Sequence, residues 1–207
     1  MEVLYYAALV VLSYLIGAIP FGLVVGKFSR NIDLRDFGSG NIGAANALRT
    51  LGWKASALVF VLDIAKAVVA VLLARVFTGL PVVEALCGFA AIVGHNWPVY
   101  IGFRGGRGVS SSLGVMLVFS PLIAVAGLAL GLLLMASFRY VSLGSVVGAL
   151  SVPVLLLVFA ASMSVPVPYL WFAWVVGLLV VFQHRSNIRR IITGTEHKIG
   201  QRAERRT

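Results

Sequence analysis

Long apolar runs separated by short polar connections dominate the chain. The first run spans Val3 to about Val25 and contains Gly17 and Pro20. Apolar sequence continues beyond the proline, which predicts a kinked helix rather than a helix end. A polar connection follows, Lys27 to Lys54. Within it Ile42, Ala45, Leu48 and Leu51 share a face, predicting a short interfacial helix over Ile42–Leu51. The second run covers Trp53–Phe77 and holds Asp63 and Lys66 in its middle. A turn at Thr78-Gly-Leu-Pro81 leads to the third run, Val82–Val93, with Glu84 near its start. After a glycine-rich stretch, Gly94–Gly114, apolar sequence extends from Val109 to Ser137. The last runs are Val141–Ala161 and Tyr169–Phe182, parted by a proline-containing turn. Such runs predict an all-α polytopic membrane protein, folded as a single domain over 1–207 with a basic tail from about residue 183.

Composition agrees. Hydrophobic residues make up 60% of the chain and charged residues 12%, about half the charge of a soluble domain. A net charge of +10 would suggest nucleic acid in a soluble protein. Here Lys and Arg lie in the connections and the tail, where membrane topology and anionic headgroups favour them. Nucleic acid is therefore set aside as a partner and membrane lipids are kept. The lone cysteine, Cys87, sits in an apolar run and reads as a small packing residue. No Cys/His cluster has zinc spacing, so neither metal nor cofactor is expected. The first run follows Glu2 and lacks a cleavage site, so it reads as a retained membrane helix.

Charge bias orients the runs. The connections at 78–81 and 162–168 carry no Lys or Arg, while those at Lys27–Lys54, Arg104–Arg107 and Arg139, and the tail, are basic. Taken as one span, Val109–Ser137 would put Arg104/Arg107 and the tail on opposite sides. A break at Ser120-Pro121 gives seven membrane helices, some short or broken, and puts every basic segment inside. The N-terminus is then outside and the C-terminus cytoplasmic.

Three polar stretches then share the cytoplasmic face. The first is Ser39-Gly-Asn41-Ile-Gly-Ala-Ala-Asn46 with Arg49. The second runs from Gly94 through His95 to Arg104-Gly105-Gly106-Arg107-Gly108. The third is His184-Arg-Ser-Asn187-Ile-Arg-Arg190, then Gly194-Thr-Glu196-His-Lys198. Each combines glycine, amide or hydroxyl groups, and arginine. Glycines let backbone N–H groups converge on an anion, arginines add fixed charge, and a helix starting near Val109 would point its amides at the same place. None holds a carboxylate pair. The set is built to hold anions rather than to ionise water.

These stretches resemble the signature motifs of the bacterial acylphosphate-dependent glycerol-3-phosphate acyltransferases (the PlsY type). The first matches Gly-Ser-Gly-Asn-x-Gly-Ala-Thr-Asn-x-x-Arg, with Ala45 in place of the usual Thr. In the second, Gly94, His95, Pro98, Gly105, Gly106, Gly108 and Val109 match, and Arg104 and Arg107 replace lysines. In the third, His184, Asn187, Ile188, Arg190, Gly194, Thr195, Glu196 and Lys198 match. The resemblance implies acyl transfer from a long-chain acyl phosphate to the 1-hydroxyl of glycerol 3-phosphate. The products are lysophosphatidic acid and phosphate, in the first step of bacterial phospholipid synthesis, at the cytoplasmic face of the cell (inner) membrane.

The same resemblance implies catalytic roles for Ser39, Arg49, His184 and Asn187. It implies phosphate binding by Arg104, Gly105, Gly106, Arg107 and Gly108. Asn41 and Asn46 could donate to phosphate oxygens or cap only their own turn. His184 either takes the hydroxyl proton or binds phosphate, and His95 either acts as a base or caps the loop. Ser142 is a further candidate phosphate ligand. Glu196 is expected to pair with an arginine and fix the tail. Asp63 and Lys66 are either functional intramembrane charges or a self-neutralising structural pair on one helix face. Catalysis by positioning and charge, without a covalent acyl-enzyme, is the expected chemistry. A transporter of phosphate or a phosphate ester would share the basic loops and broken helices, but it requires a polar path to the other face.

Overall fold

In the computed structural model the protein is all-helical; the structure describes residues 1–201 and 203–205. The helices are α1 (Glu2–Gly17), α2 (Phe21–Arg30), α3 (Ala44–Leu51), α4 (Trp53–Thr78), α5 (Pro81–Asn96), α6 (Val109–Phe119), α7 (Pro121–Phe138), α8 (Val141–Met163), α9 (Val167–Gln183) and α10 (Arg185–Ile192). Among the described residues, five helical stretches are long and apolar enough to cross a membrane: Glu2–Arg30, Trp53–Thr78, Pro81–Ile101, Pro121–Phe138 and Val141–Ala160. A sixth is reached by joining α9 to α10, which turn 57° from each other.

The proline positions explain most of the boundaries. Pro81 and Pro121 open α5 and α7, and Pro168 lies in the first turn of α9, where a missing N–H costs nothing. Pro20 breaks the first run into α1 and α2. The apolar region after Val109 divides at Ser120, leaving α6 with 11 residues. That is about 16 Å of helix, half of a hydrocarbon core. Such a short helix survives because protein surrounds it. Its Ser110, Ser111, Ser112, Gly114, Val115 and Met116 are buried.

α6 lies along α4 in the same direction. Ser111 Oγ donates to the Asp63 carbonyl at 3.3 Å near one end, and Arg75 reaches the Val118 carbonyl at 3.2 Å near the other. α7 then returns antiparallel to α8, with Gly131 against Gly144 and Gly127 against Gly148. The core between them comprises Val71, Ile92, Val115, Met116, Leu156, Phe172 and Val176. At the end away from the basic stretches, Glu84 accepts from Arg75 Nε at 2.9 Å and from the Tyr169 hydroxyl at 2.7 Å. Phe119 stacks on Tyr169 with ring centroids 3.8 Å apart.

The interfacial helix begins later than its pattern predicts. Asn41 Oδ1 accepts from Gly43 N–H at 2.8 Å, and Gly43 becomes the N-cap. The buried face is then Asn46, Ala47 and Leu51, packed on Val25, Leu34 and Val59. Ala45 and Leu48, predicted to lie on that face, line a cavity instead.

Gly94 is where α5 meets α1. A Cβ there would overlap the Tyr14 carbonyl oxygen and crowd the Ala18 nitrogen. Backbone cannot step aside as a side-chain end can. Gly94→Ala is expected to destabilise the protein by about 1–3 kcal/mol, seen as a lower melting temperature in detergent. Gly177→Ala, whose added methyl would find its nearest neighbour at 3.5 Å, should leave the melt unchanged or raise it.

Candidate active site

The basic stretches meet at one end of the helix bundle. The connection before α3 is organised by Asn46. Its amide donates to the carbonyls of Leu34 (2.9 Å), Phe37 (3.1 Å) and Asn41 (2.8 Å), and its Oδ1 accepts from Ser39 N–H at 3.2 Å. This holds Ser39 at the rim of a cavity, with its backbone fixed. Of the two roles open to Asn46, phosphate donor or cap of its own turn, it takes the second, because both ends of its amide are committed to the loop. Asn41 commits only its oxygen.

The glycine-rich stretch doubles back onto the end of α5. Gly105 N–H donates to the Asn96 carbonyl at 3.2 Å and Gly106 N–H to the His95 carbonyl at 2.9 Å. These amides do not converge on an anion, contrary to the sequence expectation. The glycines are needed for close approach: a Cβ on Gly106 would collide with the His95 ring. Arg104 is exposed and lies off the cavity. Arg107 and Gly108 do line it. Gly108 takes the left-handed conformation (φ 82°) as the N-cap of α6, and the first helical bond runs from Ser112 N–H to its carbonyl at 2.7 Å. The N–H groups of the turn between them have no helical partner and carry the positive end of the helix dipole.

The third stretch closes the site. His184 follows α9 and its Nδ1 meets the Val180 carbonyl at 2.8 Å. A carbonyl only accepts, so Nδ1 carries the proton, and Nε2 of the neutral ring is an acceptor. Glu196 accepts from Ser142 Oγ (2.8 Å) and Asn187 Nδ2 (2.7 Å) on one oxygen and from Arg190 Nε (2.7 Å) on the other. The Glu196–arginine pair thus forms as expected. Ser142 directs its proton to Glu196 rather than into the cavity, leaving its oxygen lone pairs. Asn187 keeps a buried Oδ1 without a partner. Beyond Glu196 the chain crosses the face: Arg49 Nη2 donates to the His197 carbonyl at 3.3 Å, Ile199 N–H to Arg139 at 2.7 Å and Ala203 N–H to Arg49 at 3.1 Å.

The resulting cavity has a volume of about 600 Å³. Its polar end is lined by Ser39, Asn41, Asn46, Arg49, His95, Arg107, Gly108, Ser142, His184, Asn187 and Glu196. Its other end is an apolar groove with Phe60, Met116, Leu128, Leu132, Met135, Val152, Phe172 and Val176. Leu132 and Trp53 line the groove and are also exposed on the outer surface, 53% and 70%, so the groove reaches the lipid-facing side between α4 and α7.

Electrostatics mark the polar end as a cation cluster short of counter-charge. Burial, then the charge of Arg190, brings Arg107 down to about 10; Glu196 opposes this and Arg49 adds to it. Arg107 remains charged at neutral pH. Burial also lowers Arg49. Burial pushes Glu196 up, but hydrogen bonds from Asn187, Ser142 and Arg190 outweigh it and leave the carboxyl below its ordinary value. Two features lay outside the sequence reading. Arg190 belongs to the electrostatics of the site, although it was noted only as a motif match. His95 also meets the intramembrane pair, with Nδ1 3.0 Å from Lys66 Nζ.

A family model described as glycerol-3-phosphate acyltransferase matches residues 7–194. The chain belongs to the glycerol-3-phosphate acyltransferase family. It is 44% identical over 200 residues to the glycerol-3-phosphate acyltransferase of Thermoanaerobacter sp. (strain X514), covering 96% of this chain and 98% of that one. It is 41% identical over 209 residues to that of Clostridioides difficile (strain 630), covering 99% and 100%. Crystal structures of PlsY (YgiH), an integral membrane glycerol 3-phosphate acyltransferase, have the same fold. The glycerol 3-phosphate form aligns with a TM-score of 0.88 at 40% identity, over 95% of this chain and 96% of that one. The lysophosphatidic acid form gives 0.86 at 39%, over 95% and 96%. Like PlsY, the acyltransferase described here is an integral membrane protein, and its long apolar helices make it multi-pass.

The Glu196 clamp has a defined pH signature. Its carboxyl value is depressed by folding, so its stabilisation is complete above the ordinary glutamate range. It is lost as pH falls through the folded value. Tryptic cleavage after Lys198 should stay slow at neutral pH and accelerate in Glu196→Gln by about fivefold or more. In the unmodified protein, protection of this bond from an acid-tolerant protease should fade only below the ordinary glutamate range.

Proposed function

We propose that this protein is an acyl phosphate:glycerol-3-phosphate O-acyltransferase of the bacterial cell membrane, working at the cytoplasmic face. The observation that carries the reading is a single cavity joining a cation-rich, helix-capped end to an apolar groove open to the lipid side. One substrate is a small soluble dianion and the other carries a long acyl chain. They have to meet where such a polar end and such a groove adjoin.

The phosphate of glycerol 3-phosphate binds Arg107 and the free amides of the Gly108–Ser111 turn. Ser39 and Arg49 hold the phosphate of the acyl donor, whose chain lies in the groove. The glycerol 1-hydroxyl oxygen attacks the acyl carbonyl, a new ester bond forms, and the bond from the carbonyl carbon to the phosphate oxygen breaks. The hydroxyl proton passes to His184 Nε2 or directly to the departing phosphate. Asn187 lines the same end and steadies Glu196 through its Nδ2. Arg104 stands apart, attracting anions to the surface rather than binding them. Two dianions brought together in a low-dielectric site leave little for a covalent intermediate to add.

The alternation of helices supports seven passes, with α6 as the short one, the N-terminus outside and the C-terminus cytoplasmic. A transporter fits less well. Beyond the cation cluster the groove lining is apolar, and the far end is sealed by the Arg75–Glu84–Tyr169 cluster.

Purified protein in liposomes should release phosphate only when given both a long-chain acyl phosphate and glycerol 3-phosphate. No acyl adduct should be trapped on Ser39 or Cys87. Flux of a phosphate ester without turnover would overturn the enzyme reading. Arg107→Ala should raise KM for glycerol 3-phosphate by about tenfold or more. Reporter fusions after Ser120 should report outside and fusions after Arg139 inside.

A further inference from the structure

The apolar groove has a foot as well as a mouth. Its lining ends at Met116 on α6, Ala124 on α7, Val152 on α8 and Phe172 on α9. From His184 down α9 to Phe172, or from Ala136 down α7 to Ala124, the groove runs along about 18 Å of helix. Met116 and Ala124 flank the Ser120-Pro121 break. Ser120 N–H donates to the Met116 carbonyl at 2.8 Å, and Ala124 N–H donates to the Ser120 carbonyl at 2.9 Å. The corner between α6 and α7 thus closes the foot from one side, and Phe172 closes it from another. The Phe172 ring meets Phe119 edge-on, with centroids 5.1 Å apart. Phe119 is stacked on Tyr169, whose hydroxyl donates to Glu84. A ring backed in this way has nowhere to swing without breaking close packing. Met116, Ala124 and Phe172 line the groove and are yet only 4%, 1% and 5% exposed. Leu132 and Trp53, nearer the polar end, face the lipid side. The groove is therefore open laterally in its upper part and blind at its foot. Empty apolar space there forfeits the contacts that filling atoms would supply, and an apolar lining offers water no partners. The end of an acyl chain fills it.

We propose that Phe172 is a specificity-determining residue for the acyl donor: with Met116 and Ala124 it forms the floor on which the terminal methyl of the acyl chain rests, and so sets the longest chain that fits below the reacting carbonyl. The proposal rests on the acyltransferase reading above. A chain shorter than this gauge leaves a void at the foot. A longer one must buckle toward the opening beside Leu132 or hold its carbonyl away from the polar end. Either way, affinity or alignment is lost methylene by methylene. The polar end lies a groove's length away, so selection among acyl chains is separate from the binding of glycerol 3-phosphate.

The test uses full-length protein in liposomes, supplied with glycerol 3-phosphate and an equimolar series of saturated acyl phosphates from decanoyl to arachidoyl. The lysophosphatidic acids formed early in the reaction are counted by mass. In the unmodified protein the yield should peak at one chain length and fall beyond it. Phe172→Ala should move the peak to longer chains, raising the ratio of the next longer product to the original one by about tenfold. Phe172→Leu, which keeps more of the core filled, should shift it the same way by less. Ala124→Val, which raises the floor, should shift it toward shorter chains. Comparing product ratios between variants cancels the unequal partitioning of the donors into the bilayer. KM for glycerol 3-phosphate should stay within about twofold throughout. A flat profile in the unmodified protein would overturn the gauge, since it would mean that the chain leaves sideways into the bilayer. So would a peak that stays in place in both Phe172 variants. Absence of lysophosphatidic acid from every donor would instead strike the acyltransferase reading.

Discussion

Backbone packed against backbone at Gly94, Gly105, Gly106 and Gly114 is the constraint from which the site follows. Gly94 lets α1 lie against the end of α5, and Gly114 lets α6 lie against the Ile64 carbonyl on α4. Between them the chain leaves helix and must find partners for its polar groups in a region with little water. It does so locally, with Gly105 and Gly106 bonded back to Asn96 and His95. The fold-back sets where α6 begins, and so where its unpaired amides point. A motif that resembles a phosphate nest thus acts first as a hinge that aims a helix.

Charge governs the rest of the site. Arg49, Arg107 and Arg190 act on one another, with Glu196 as the nearby carboxylate. Glu196 is held by a serine, an amide and a guanidinium from α8 and α10, so its charge serves the architecture. The surplus positive charge remains for whatever enters. A dianion at this point completes an incomplete ion cluster, and binding there adds the counter-charges the protein itself withholds.

The membrane character, the helix boundaries and the break at Ser120-Pro121 were legible in the sequence because hydropathy, proline and charge bias each act locally. The three polar stretches were legible as one site because topology placed them on one face. The roles within them were less so. Asn46 and Arg104 look like ligands in a motif, but only tertiary contacts reveal that Asn46 is committed to Leu34, Phe37 and Asn41 and that Arg104 lies outside the cavity. The apolar spacing of α3 does not say which side meets the core: Asn46, Ala47 and Leu51 do, while Ala45 and Leu48 line the cavity. Nothing in the spacing of Asp63, Lys66 and His95 reports that a cation on α4 reaches a ring on α5, since that contact depends on how two helices cross.

The crossing of the tail over the polar face has a consequence for biosynthesis. In the tail, Glu204 meets the first connection at Gly38, Ala203 meets Arg49, and Ile199 meets the turn at Arg139. They follow α9 in the chain, so every wall of the cavity but this one can be in the bilayer before it is made. During translation the cation cluster therefore stands uncovered and lacks its carboxylate. The enzyme becomes whole only when a short polar segment, emerging after the membrane helices, settles across them and ties the tail to the first connection.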